Sequence, residues 1–130
     1  MEKEEISEEK IKEYVRGWKK KQKKKEAARR KRTRHARKKA EAIAEMAFES
    51  FEAEKVWIIG SLAREEMREN SDIDMVISGI SDLSPEEFWS LLKKADKLAS
   101  PFRVDIIPAE DASPALKKRI EREGVRLDEK

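Results

Sequence analysis

The fold is decided by one stretch, IIGSLAREEMRENSDIDMVISG, residues 58–79. It begins inside a continuous apolar run, Val56-Trp57-Ile58-Ile59, which stops at Gly60-Ser61. Ten residues separate Ser61 from a second run, Asp72-Ile73-Asp74-Met75-Val76-Ile77-Ser78, which stops at Gly79. The first run reads as a strand buried on both faces, and the second as another strand closed by its glycine. Successive strand side chains point to opposite faces, so Asp72 and Asp74 share one face while Ile73, Met75 and Ile77 share the other. Two carboxylates aimed at one spot repel, and burying them against a sheet is costly unless a positive group neutralises them. A divalent cation is the obvious counter-charge. Hard cations such as Mg²⁺ take oxygen ligands, commonly one or two carboxylates together with substrate phosphates.

Working outward, Phe102 to Ile107 is expected to form a third strand, with Asp105 enclosed by Val104, Ile106 and Ile107 and sharing its face with Arg103. Beside the second strand, Asp105 completes a trio of carboxylates; the simpler use is an ion pair with Arg103 or a strand-end cap. The Gly60-Ser61 step lies between a buried strand and a short helix expected within residues 61–69. There it lets backbone N–H groups approach phosphate oxygens, with the hydroxyl as an added donor.

Helical segments surround these strands. Ala40, Ile43, Ala44, Ala47, Phe48 and Phe51 recur every three or four residues and mark a helix with a core face. Ser84-Pro85-Glu86-Glu87 is a capping box with proline at the first helical position, opening a helix through Phe88, Leu91, Leu92, Ala95 and Leu98. Ser113-Pro114 opens a last helix that Gly124 ends. Helices alternating with three strands predict an α/β layer structure around a small sheet.

The segment before Ala40 is different. Residues 1–15 carry three Lys and six Glu, whereas residues 16–39 carry fifteen Lys or Arg and one Glu, and residues 40–130 sum to −8. The net charge of +3 therefore hides a basic arm, residues 1–39, on an acidic body, residues 40–130. Ile6, Ile11, Tyr14, Val15 and Trp18 form a near-helical stripe over residues 2–18, a face for another chain or for a second copy of this one. From Lys19 to Lys39 the only apolar residues are Ala27, Ala28 and Ala36, so this run is a solvated helix or a disordered arm. Arg29, Arg30, Lys31, Arg32 and Arg34 are its candidates for contact with RNA, DNA or an acidic partner, although it lacks the interleaved aromatics of base-stacking sites.

Cysteine is absent and His35 is the single histidine, so disulfides, thiolate chemistry and multi-histidine metal centres are excluded; any metal must be held by oxygen. His35 reads as a bystander in the basic run. Trp57 and Trp89 read as core residues, while Trp18 lies outside the core and marks an interface. No apolar run approaches the roughly 18 residues that span a bilayer, and Met1 is followed by acidic residues, so the expected compartment is the cytoplasm, with no membrane contact.

Gly-Ser after a strand, ten residues, then Asp-x-Asp preceded by Ser71 resembles the pattern of the DNA polymerase β nucleotidyltransferase superfamily. In particular, GSLAR…SDIDMVI followed by FRVDIIPAED resembles the minimal nucleotidyltransferases, small prokaryotic proteins often encoded beside a HEPN-domain partner in toxin–antitoxin pairs. The resemblance covers roughly residues 40–127. It implies a minimal nucleotidyltransferase fold, a mixed sheet of three or four strands flanked by helices, here carrying an N-terminal basic helical arm. It further implies that Gly60 and Ser61, with Ser71 and Arg64, hold the triphosphate of ATP or another NTP. Asp72, Asp74 and Asp105 then bind two Mg²⁺ ions, and an NMP passes to a hydroxyl of the HEPN partner. Many members have glycine where this chain has Glu65, and the arm lies outside the family pattern. A protein that kept the fold only to bind a partner or RNA is the alternative.

Overall fold

The structure, a computed structural model, describes residues 7–127. Ile6, the first residue of the N-terminal stripe, lies outside them. Residues 8–51 form one helix, α1 (Glu8–Phe51). Its start is set by Ser7, whose hydroxyl accepts the Lys10 N–H at 3.2 Å, and by Glu8 and Glu9 against the positive helix end. The stripe, the basic run and the core-facing segment, which differ so much in composition, are thus parts of a single rod. No proline interrupts it, and Lys, Arg, Glu and Ala are all good helix formers. Only its last four turns are buried, through Ala36, Ala40, Ile43, Ala44, Ala47 and Phe51. The helix stops at Glu52, in the left-handed region at φ 56°, whose N–H returns to the Ala47 carbonyl.

The four strands are β1 (Lys55–Ile59), β2 (Ile73–Ser78), β3 (Val104–Pro108) and β4 (Val125–Arg126), arranged in the order β3-β2-β1-β4. β1 runs antiparallel to β2 and β4, while β2 and β3 are parallel. This is the mixed, helix-flanked sheet that the sequence implies. β4 adds two residues that no periodicity could reveal, pairing Val125 and Arg126 with Ile58 and Trp57. The helix expected within residues 61–69 is shorter, α2 (Gly60–Ala63). In α3 (Pro85–Ala99) the capping box is complete: Ser84 Oγ accepts the Glu87 N–H, and Glu87 Oε1 accepts the Ser84 N–H, both at 3.1 Å. At α4 (Pro114–Glu123) only the first half of such a cap exists, Ser113 Oγ accepting the Leu116 N–H at 3.1 Å.

The core lies between the sheet and the layer formed by α3 and the C-terminal part of α1. Ile73, Met75 and Ile77 of β2 are fully buried there with Val56, Ile58, Ile43 and Leu91. The helices meet through small residues: Ala40, Ala44 and Ala47 on α1, Ala95 and Ala99 on α3, none more than 2% exposed. Three sequence expectations are corrected. Trp89 is 59% exposed, because it lies two residues, roughly 200° of helix rotation, from Leu91 on the buried face. Trp57 is half-buried, with the Arg126 guanidinium 5.4 Å from its ring centroid. His35 is no bystander: it meets the Phe102 ring edge-on at 5.2 Å, tying α1 to the segment entering β3.

Close helix approach through alanine leaves no room for larger side chains. Ala44→Leu should therefore destabilise the fold by about 1–3 kcal/mol through overpacking, measured by urea denaturation against the wild type.

Candidate functional site

The site is built where β1 ends beside β2. The chain leaves Ile59 through Gly60, whose φ of +71° is rarely adopted by residues with a side chain. A Cβ on Gly60 would also lie 2.6 Å from Asp74 Oδ2. Glycine thus suits the turn, and a side chain here would push the Asp74 carboxylate aside. Strand register then gathers the acids: Asp74 stands opposite Ile59 on β1 and opposite Asp105 on β3. Residues paired on neighbouring strands point to the same face at about 5 Å. Asp72 leads directly into β2, two residues earlier, and both it and Asp105 are exposed while Asp74 is half-buried.

Electrostatics record the convergence. Burial pushes the Asp74 carboxyl above its ordinary value, Asp105 and Asp72 raise it further, and Arg119 and Arg64 oppose the rise. Among the described residues no ion pair joins Asp105 to Arg103, the simpler use considered for that aspartate. Three carboxylates with only oxygen donors and an uncompensated negative charge fit a hard divalent cation. Among the described residues they do not close into a metal-sized cage of three or more acids. Mutual repulsion opposes such closure.

The remaining candidates sit around the turn. Ser61 Oγ donates to the Met67 sulfur at 3.5 Å. Ser71 is engaged in the loop before β2, its hydroxyl accepting the Arg68 N–H at 2.9 Å and its own N–H bonding the Arg68 carbonyl. Arg64, just past α2, pairs with Glu66 at 3.3 Å and with Glu123 at 3.1 Å. Glu65, where glycine is common in the resembling proteins, has φ +58°, the left-handed conformation that glycine adopts without strain. Its exposed side chain lines a cleft with Arg34, Arg37 and Lys38 of α1. Of the arm candidates, Arg29, Arg30, Lys31 and Arg34 are exposed, whereas Arg32 turns inward and donates to the Met67 carbonyl at 3.0 Å. The arm therefore fastens the loop that carries the Gly-Ser turn to Asp72.

Two residues of this neighbourhood escaped the sequence reading, Arg119 and Glu123 of α4. Their four-residue spacing reads as an ordinary surface pair on a helix. Nothing local reveals that α4 folds back onto Gly60, whose N–H donates to Glu123 Oε1 at 3.2 Å.

Residues 41–130 match the family described as polymerase β nucleotidyltransferase. Among solved structures, one described as a minimal nucleotidyltransferase superposes with a TM-score of 0.60 and 26% identity, over 72% of this chain and 93% of that one. A toxin–antitoxin structure solved with AMP-PNP gives 0.56 and 22%, over 68% and 71%. A variant of the MntA-HpeT toxin–antitoxin gives 0.54 and 20%, over 68% and 70%. No curated protein matches the chain.

The raised pKa of Asp74 has a consequence for stability. Its folded value lies above the ordinary 3.8, so the folded state binds the proton more tightly than the unfolded chain. The penalty for ionising Asp74 is absent below about pH 3.8 and complete above its folded pKa. Asp74→Asn should therefore be more stable than the wild type near pH 7 in EDTA, with the gap closing as the pH falls towards 4. Urea denaturation at the two pH values measures it.

Proposed function

Because the chain belongs to the polymerase β nucleotidyltransferase family, we propose that it moves AMP from ATP onto a hydroxyl of a protein partner, the HEPN protein of a toxin–antitoxin pair. The observation that carries this reading is the register that sets Asp74 beside Asp105, with the Gly60 turn against the same carboxylate. The minimal-nucleotidyltransferase structure at 26% identity supports the reaction class. The shared fold of the AMP-PNP-bound toxin–antitoxin and of the MntA-HpeT variant supports ATP as donor and a paired protein as acceptor.

In this reading the acceptor oxygen bonds to the α-phosphorus, the bond to the bridging oxygen breaks, and pyrophosphate leaves. The Gly60 backbone and the Ser61 hydroxyl bind phosphate oxygens, Arg64 adds a guanidinium, and Ser71 holds the loop in which Asp72 lies. Asp72 and Asp74, with Asp105, would hold two Mg²⁺ ions, which when bound neutralise phosphate charge and make the acceptor hydroxyl more acidic. Asp105, the exposed member of the sheet pair, takes the acceptor's proton. Binding and orienting the reactants against fixed charges supplies most of the rate. The exposed stripe Ile11, Tyr14, Val15 and Trp18 supports assembly with a partner, since Tyr14 at 80% exposure and Trp18 at 57% carry much uncovered apolar surface.

A second reading, binding of RNA or of the partner without catalysis, draws on the exposed cations Arg29, Arg30, Lys31 and Arg34. The two readings separate in one experiment: incubation with Mg²⁺ and α- or γ-labelled ATP and the gene-neighbour HEPN protein, beside Asp72→Asn/Asp74→Asn. Transfer of the α label alone, reduced by orders of magnitude in the double variant, is the expected result. No transfer, with partner binding equal in both proteins, would leave the non-catalytic reading.

A further inference from the structure

The Gly60 turn is filled by a side chain of the protein itself. Glu123 closes α4, and its Oε1 accepts the Gly60 N–H at 3.2 Å together with Arg119 Nη2 at 3.0 Å and Arg119 Nε at 3.3 Å. Its Oε2 accepts Arg64 Nη1 at 3.1 Å. The Glu123 side chain is 16% exposed, whereas the arginines around it are 46% and 44% exposed. One backbone N–H and two guanidinium groups, brought from the turn, the end of α2 and the face of α4, thus converge on one two-oxygen anion. That donor set also suits phosphate oxygens, since guanidinium groups bind carboxylate and phosphate with the same fork of N–H donors. Arg64 and Arg119 also act electrostatically on Asp74, so the cluster adjoins the three carboxylates.

We propose that Glu123 and a phosphate group of the nucleotide compete for one anion subsite, formed by the Gly60 N–H, Arg64 and Arg119, and that Arg119 is a phosphate-binding residue. The proposal rests on the nucleotidyltransferase reading. A phosphate cannot take the Gly60 N–H while Glu123 holds it, because that amide has one hydrogen to donate and the two anions repel at contact. Exchange is mechanically easy. No residue of α4 is fully buried, and the helix runs into the two-residue β4 directly after Gly124. Burial alone would raise the Glu123 pKa, but the hydrogen bonds from Gly60, Arg119 and Arg64 hold it below its ordinary value. The carboxylate is therefore charged near neutral pH and is a true rival for an anion. The consequence is a built-in threshold: the triphosphate must displace Glu123 before it reaches the turn.

The test is calorimetric titration of the full chain with ATP and, separately, with inorganic tripolyphosphate, in Mg²⁺ and in EDTA. Variants Glu123→Gln, Arg119→Ala, Arg119→Lys and the double variant Glu123→Gln/Arg119→Ala are compared after circular dichroism has established equal helix content. Glu123→Gln should tighten both ligands several-fold. Arg119→Ala should weaken them about tenfold in the Glu123→Gln background and by less in the wild type, where it also loosens the competing carboxylate, with Arg119→Lys intermediate. Weaker or unchanged binding in Glu123→Gln would overturn the proposal, assigning Glu123 to orienting the arginines or to no role. Loss of the Arg119→Ala effect in the Glu123→Gln background would also overturn it, since Arg119 would then act only through Glu123. ATP binding by the wild type alongside either of those results sinks this inference alone. Absence of ATP binding in every protein would remove the nucleotidyltransferase reading with it.

Discussion

A half-buried carboxylate held between two others is the constraint on which the rest of the molecule depends. Asp74 cannot leave its position, because Ile73, Met75 and Ile77 on the opposite face of β2 are locked in the core. A register slip of one residue would exchange the two faces and place isoleucine where the aspartate stands. The parallel pairing with β3 then brings Asp105 alongside, and the antiparallel pairing with β1 brings the Gly60 turn. Hydrophobic burial thus provides the energy that keeps like charges together, and the raised pKa of Asp74 records the strain of doing so.

The long helix links this centre to the outside. Its final turns supply the alanine-rich face that packs on α3, and one turn earlier Arg32 fastens the Met67 carbonyl in the loop between Gly-Ser and Asp72. Before that point the helix has no core to join and carries the exposed basic run and the apolar stripe. A cleft lined by Arg34, Arg37, Lys38, Glu41, Leu62 and Glu65 separates it from α2 and the residues just past it.

Much of this was legible in the sequence, and for identifiable reasons. The strands β1 and β2 announce themselves because their apolar runs, buried in the core, end sharply at Gly60 and Gly79. Asp72, Asp74 and Asp105 stand out because carboxylates are costly in such runs. The capping box of α3 and the Ser-Pro start of α4 are local chemistry and could be placed to the residue. What escaped depends on long-range contact. Continuity of α1 reflects the absence of proline and the tolerance of a single glycine, Gly17, which periodicity does not measure. Trp89 misled because aromatic character was read without its angular position on α3. Glu123 reaches Gly60 across 63 positions, and its pairing with Arg119 looks like any exposed i,i+4 pair until α4 is folded onto the sheet.

The most direct measurement is the melting temperature of the protein with excess Mg²⁺ and ATP against the same protein in EDTA, repeated for Asp72→Asn/Asp74→Asn. Ligand at one hundred times its Kd stabilises a fold by about 2.7 kcal/mol, on the order of 10 °C for a domain of this size. A rise of that order in the wild type, absent from the double variant, is expected if the carboxylates hold a metal–nucleotide complex. No rise in the wild type, or an equal rise in both, would contradict the assignment of the site.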